Sequence, residues 1–225
     1  MATNPADVFS ISSKACDRQA WFDAGLLYAL YVGVNVAGNM AYRFLSGHPW
    51  LAVAQSVGIL LFLLAVVLMR RGYGHPDFAV GGLGDALHRF RWLWVFALLI
   101  ALVAARFQGL FQNHSFLWYL WLFAGVVLAP ITEEFAFRGA IQTSLNRTSI
   151  GSKTFIGFRL GTLISAISFS CAHFALFAGN VAMPRVLFEV LSALPLALFA
   201  GYVYQRTTNI WYGVLVHALG NLGGA

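Results

Sequence analysis

The sequence predicts an all-α fold: a polytopic membrane helix bundle of about seven transmembrane helices. Three observations predict it. Hydrophobic residues make up 60% of the 225-residue chain and charged residues only 10%, whereas a soluble domain carries about 25% charged residues. Seven apolar runs divide the chain, and a spanning helix needs roughly 20 residues of this kind. All seven tryptophans fall near the starts of runs, where aromatic belts form at headgroup level. Together these describe one integral membrane domain over residues 1–225, with the lipid bilayer as its solvent.

The runs are Ala24–Tyr42, Trp50–Met69, Trp92–Ala105, Phe116–Leu145, Leu160–Ala178, Val186–Gln205 and Ile210–Ala225. The third and seventh are short for a span, which leaves their ends loosely fixed. The fourth is long and carries charges inside it. The first 20 residues contain no apolar stretch of the kind a cleavable signal needs. Cys16 lies in a polar segment and Cys171 in an apolar run, so no disulfide framework is expected.

Charge sets the orientation. Alternate connections carry ten Lys and Arg residues on one side, among them Lys14, Arg18, Arg70, Arg71, Arg147 and Lys153, against Arg43, Arg106 and Arg185 on the other. Cytoplasmic loops collect such residues. The chain is therefore expected in the cell inner or plasma membrane with a cytoplasmic N-terminus. The net charge of +6 reflects this rule, and no nucleic-acid partner is expected.

Three of the eight acidic residues, Glu133, Glu134 and Glu189, lie inside apolar runs. Each charge costs about 2.5–3.5 kcal/mol at the centre of an inserted helix, so such residues usually have a task. Arg185 stands four residues before Glu189, and an i,i+4 pair at the interface accounts for both. Arg138 follows Glu134 at the same spacing and in the favourable order. Glu133 and Glu134 point about 100° apart, so they are not expected to face one partner. Glu133 is left without an obvious local partner, and an unpaired carboxylate in a low-dielectric site suits a general base. The plain alternative is a charge cluster at a helix end. Pro130 removes a backbone donor just upstream and is expected to kink the helix. His173 follows Phe169 at i+4 in the fifth run, and His217 precedes Asn221 at i+4 in the seventh. Singly, these read as packing residues; together, a carboxylate, two imidazoles and an amide are the parts of an acid–base hydrolase.

Glu133-Glu134-Phe135-Ala136-Phe137-Arg138, Phe169 to His173, and His217 to Asn221 match, in order, the EExxxR, FxxxH and HxxxN motifs of the CAAX-protease and bacteriocin-processing (CPBP) family. The chain resembles that family over about 116–225, the expected catalytic core. The resemblance implies an intramembrane glutamic protease that hydrolyses a peptide bond of a membrane-associated protein or peptide. It implies that Glu133 activates water with His173 helping to hold it, that His217 and Asn221 form the oxyanion hole, and that Glu134 and Arg138 order the site. No cofactor and no metal are implied. Two other readings stand beside it. Two Glu and two His also suit zinc, although no HExxH occurs. A non-enzymatic immunity, scaffold or proton-coupled transport protein also accommodates a Glu/His cluster.

The expected site poses a geometric difficulty. Counted from Phe116 and Leu160, straight upright helices leave Glu133 and His173 some 15 Å apart in depth. Tilt, a kink at Pro130 or an amphipathic stretch before Leu160 would have to correct this. With that correction, Glu133, His173, His217 and Asn221 are expected to line one cavity, with Glu134 and Arg138 paired at its edge.

Overall fold

The computed structural model describes residues 5–44 and 116–224, with isolated positions 58, 88, 91 and 95. The second and third apolar runs lie outside the described residues. Helix α1 spans Pro5–Phe44. A continuous helical rod, α2, follows at 116–146. A two-residue hairpin, β1 (Thr154–Phe155) and β2 (Phe158–Arg159), leads into α3, Leu160–Ala172. A 3-10 segment, His173–Gly179, extends α3. Helices α4 (Met183–Thr207) and α5 (Ile210–Gly224) complete the described chain. Among the described residues, three helices are long and apolar enough to cross a membrane: Asp17–Ala41, Leu160–Gly179 and Met183–Thr207. The protein is an all-α membrane helical protein.

Helix α1 is longer than its apolar run. Forty residues extend about 60 Å, twice the hydrocarbon thickness. Its polar first part therefore continues past the span. There the Asp17 carboxylate accepts from the backbone N–H and the hydroxyl of Ser149, in the loop after α2. Near the other end of α1, Asn39 Nδ2 donates to the Ala175 carbonyl at 3.3 Å. The N-terminal segment and the 147–159 loop thus share one end of the bundle, as the charge count assumed. With that end cytoplasmic, a tag at Met1 is expected to resist extracellular protease in intact cells. Digestion before permeabilisation would reverse the orientation.

Lipid tails are as apolar as leucine, so helices associate here through close packing and interhelical hydrogen bonds. Both are present. Ala193, Ala197, Ala200 and Gly201 are buried along one side of α4, where α3 packs against it. Gln142 Nε2 donates to Thr162 Oγ1 and to the Gly201 carbonyl, at 3.1 and 2.9 Å. Ser165 Oγ donates to the Phe137 carbonyl at 3.0 Å. An edge-to-face aromatic series, Tyr31–Phe137–Phe169, joins α1, α2 and α3 with ring centroids 5.0 Å apart at both steps.

The helices meet where the carboxyl end of α2 adjoins the start of α3. A Cβ at Gly161 would lie 2.6 Å from Asn146 Oδ1 and 2.8 Å from Asn146 N. Counted from this contact, Glu133 lies thirteen residues before Asn146, and His173 thirteen after Leu160. Anchoring α2 at Phe116 created the apparent mismatch in depth; anchoring it where the helices touch removes it. The hairpin stands in place of an amphipathic stretch. At its turn, Ile156 and Gly157 both take positive φ, 48° and 83°, as a two-residue turn matching strand twist requires.

Candidate active site

Pro130 shapes α2 in a way that hydropathy does not register. The rod is π-helical over Ala124–Leu128, α-helical over Ala129–Glu134, and π-helical again over Phe135–Gln142. The Ala129 N–H reaches back five residues to the Ala124 carbonyl. The next bond in that register would run from residue 130 to the Gly125 carbonyl, and proline has no N–H to make it. Asn221 Nδ2, from α5, donates to that carbonyl at 2.8 Å. The helix irregularity and the Asn221 amide therefore satisfy each other. π-Helical segments of this kind often mark functional sites.

One turn further on, α2 presents its two carboxylates. Glu134 is fully buried, and Arg138 is 1% exposed. Arg138 Nε lies 3.1 Å from Glu134 Oε2. The N–H is not aimed at that oxygen, so the contact is an ion pair without a directed hydrogen bond. Arg138 Nη2 donates to the Ala197 carbonyl at 3.0 Å, and the guanidinium lies over the Phe169 ring, 4.8 Å from its centre. This pair lies in the core rather than at a cavity edge, because Phe169, Ala197 and Gly213 enclose it. A Cβ at position 213 would overlap Glu134 Oε2, so only glycine leaves room for the carboxylate there.

His217 lies between the two glutamates. Its Nδ1 is 3.2 Å from Glu134 Oε1, and its Nε2 is 3.5 Å from Glu133 Oε2. The expectation that adjacent glutamates cannot share a partner is therefore overturned. An imidazole has two nitrogens facing different ways, and these bridge the divergence between neighbouring side chains. Glu133 has His217 as a partner, supplied by another helix. A carboxylate only accepts, so Nδ1 carries a hydrogen toward Glu134. The Nε2 separation exceeds the usual N–H···O range of about 2.7–3.2 Å. Because the two nitrogens face apart, the three side chains do not converge on a point. Among the described residues, no group of three or more His, Cys, Asp and Glu side chains is arranged to hold a metal ion.

His173 joins the group through Phe169. Its Nδ1 lies 3.1 Å from the Phe169 carbonyl, which can only accept, so Nδ1 bears the hydrogen and Nε2 presents its lone pair. The Phe169 ring lies edge-on to both imidazoles, at 5.3 Å from His173 and 5.4 Å from His217. Glu133, Glu134, Arg138 and His217 are thus brought into one contact network; His173 borders it across one phenyl ring, and Asn221 lies one turn beyond His217 on α5, bonded to the Gly125 carbonyl. Elsewhere, Arg185 and Glu189 form the expected ion pair at 2.6 Å, and Cys171 is a free thiol.

Two residues at this site escaped the sequence reading. Gly213 is one turn before His217 and two before Asn221, on the same stripe of α5. Tyr31 packs edge-on against Phe137, one turn after Glu133. A signal for Tyr31 existed: Tyr31, Asn35 and Asn39 recur every four residues within the first apolar run, a polar stripe that marks an inward face.

No curated protein and no solved structure matches the chain. Residues 114–223 match a family model described as Rce1-like, type II CAAX prenyl endopeptidase. All three motifs fall within that segment, so across it the chain is similar to a family of type II CAAX prenyl endopeptidases.

Proposed function

We propose that the chain is a glutamic intramembrane endopeptidase in which Glu133 is the general base. The observation that carries this reading is the approach of Glu133 Oε2 to His217 Nε2, 3.5 Å apart on separate helices, inside a segment of a protease family. Glu133 takes a proton from water as the water oxygen attacks the substrate carbonyl carbon. His173 Nε2 accepts a hydrogen bond from that water. Negative charge then develops on the carbonyl oxygen. An amide nitrogen carries two hydrogens, so Asn221 keeps one for this oxygen while the other holds Gly125. With a hydrogen on Nε2 as well as on Nδ1, His217 is the second candidate donor, and preorganised donors of this kind supply much of the stabilisation in acyl transfer. Glu133 returns the proton to the leaving amine nitrogen as the C–N bond breaks. Glu134 and Arg138 hold His217 and Phe169 in position.

The deciding experiment compares membrane peptides, by mass spectrometry, from cells making the wild-type chain and cells making Glu133→Gln. Fragments present only with the wild type identify the substrate and its cleavage site. Identical fragment sets would overturn the reading. With a peptide spanning that site, Asn221→Ala is expected to slow cleavage by about 10²–10³-fold. Its effect on stability should stay near 1 kcal/mol, the scale of one interhelical hydrogen bond. In the same assay, activity that survives chelation separates this mechanism from a zinc-dependent one.

A further inference from the structure

The hairpin between α2 and α3 ends in an apolar tip that packing within the chain does not account for. Ile156 is 81% exposed and Phe155 59%. Ile156 also holds φ at 48°, in the left-handed region that β-branched residues avoid and that asparagine or glycine fits. Contacts with α4 hold the hairpin in place. Gln205 Oε1 accepts from the Arg159 N–H at 2.8 Å, and Gln205 Nε2 donates to the Gly157 carbonyl at 3.1 Å. The Phe158 ring packs against Tyr202, with centroids 5.2 Å apart. These contacts also set the height of the hairpin. The α4 span ends at Thr207, and the α3 span begins at Leu160. Tyr202 and Gln205 lie shortly before Thr207, so the hairpin is held about 3–8 Å inside the end of that span, where hydrocarbon gives way to headgroups.

We infer that this hairpin docks on the bilayer around the protein, with Phe155 and Ile156 entering the headgroup–acyl boundary and Lys153 and Arg159 pairing with anionic lipid headgroups. Lys153 and Arg159 are both exposed and flank the tip. No acidic residue occurs between Glu134 and Glu189, and Asp17, which reaches this loop from α1, is taken by Ser149. The patch is therefore cationic and matches an anionic surface. An apolar wedge rimmed by cations is the pattern of segments that lie in the membrane interface. Lys and Arg stems lie along apolar surface while their charged heads stay among polar groups. Retention of basic residues in the cytoplasm explains the cations but not the apolar tip. Arg159 adjoins Leu160, so the docked hairpin holds the first turn of α3, and with it His173, at a set depth.

The test uses the full chain with Cys16→Ser, Cys171→Ser and Ile156→Cys, labelled at position 156 with a polarity-sensitive fluorophore. It is reconstituted into vesicles of phosphatidylcholine alone or of phosphatidylcholine with phosphatidylglycerol. A phosphatidylcholine carrying a nitroxide high on its acyl chain is the quencher. In the mixed vesicles the emission is expected to shift to the blue and to be quenched, and in neutral vesicles both effects should be weaker. Salt at about 1 M, where charges are screened beyond about 3 Å, should bring the mixed vesicles down to the neutral result. Lys153→Gln with Arg159→Gln should do the same at low salt. The salt arm keeps both cations in place, so it decides the matter even if that double variant folds poorly. Water-like, unquenched emission in both vesicles would overturn the inference. So would equal quenching in neutral and mixed vesicles, or quenching that salt does not reduce. A probe that stays polar in vesicles and shifts only on adding an acidic peptide would overturn it too, and assign the patch to a protein partner.

Discussion

Replacing Glu133 with Gln is expected to stop peptide cleavage while leaving the folded protein intact. The two side chains have the same shape. Gln keeps one oxygen able to accept a hydrogen bond. Its amide oxygen can stay beside His217 Nε2, where Glu133 Oε2 now lies 3.5 Å away. What disappears is an oxygen able to take a proton. General-base catalysis alone contributes about 10²–10⁴-fold, which would bring an intramembrane protease to its detection limit. The measurement is cleavage of the identified peptide beside a thermal unfolding curve. Near wild-type cleavage would show that another group activates the water. Lost cleavage with a lowered unfolding midpoint would show that Glu133 is structural.

The reverse pattern is expected for Glu134→Gln, with a large loss of stability and a loss of activity that follows from it. The introduced amide oxygen would still accept from His217 Nδ1, so that contact remains and Arg138 carries the effect. Arg138 is buried against Phe169 and Ala197, and Glu134 is the carboxylate that pairs with it. Leaving one partner of a buried ion pair uncompensated costs about 3–5 kcal/mol. A double variant, Glu134→Gln with Arg138→Met, removes the stranded charge and should recover much of that stability without recovering activity. Equal unfolding midpoints for Glu134→Gln and the wild type would show that the pair contributes nothing to the fold.

The sequence made some of this legible. Leu160 and Ile210 begin helices where apolar runs begin, because Arg159 and the Thr207–Asn209 stretch interrupt the hydrophobic pattern there. Pairing of Glu134 with Arg138 and of Arg185 with Glu189 followed from helical spacing, since each pair is local. Contacts between helices did not follow. The bridge from Glu133 through His217 to Glu134 depends on where α5 packs against α2, and no local pattern encodes that. Nor did the reach of α1 back to Pro5. That part of the helix lies beyond the apolar run, where hydropathy gives no signal. Tyr31 reads as an apolar residue in an apolar run, and only the packing of α1 on α2 sets its ring against Phe137.

The first π-helical stretch of α2 has a consequence for the numbering of the chain itself. A π-turn uses one residue more than an α-turn to close each backbone bond. The stretch Ala124–Leu128 therefore sets the rotational phase of everything after it. Relaxing it to ordinary α geometry with the residue count unchanged would turn the downstream side chains by most of one α-helical step, about 100°, about the axis. Glu133 and Glu134 would keep their chemistry and their neighbours in sequence, yet face away from α5. The direction in which this helix aims its carboxylates is thus fixed by the winding of the turn upstream as well as by their own places in the sequence.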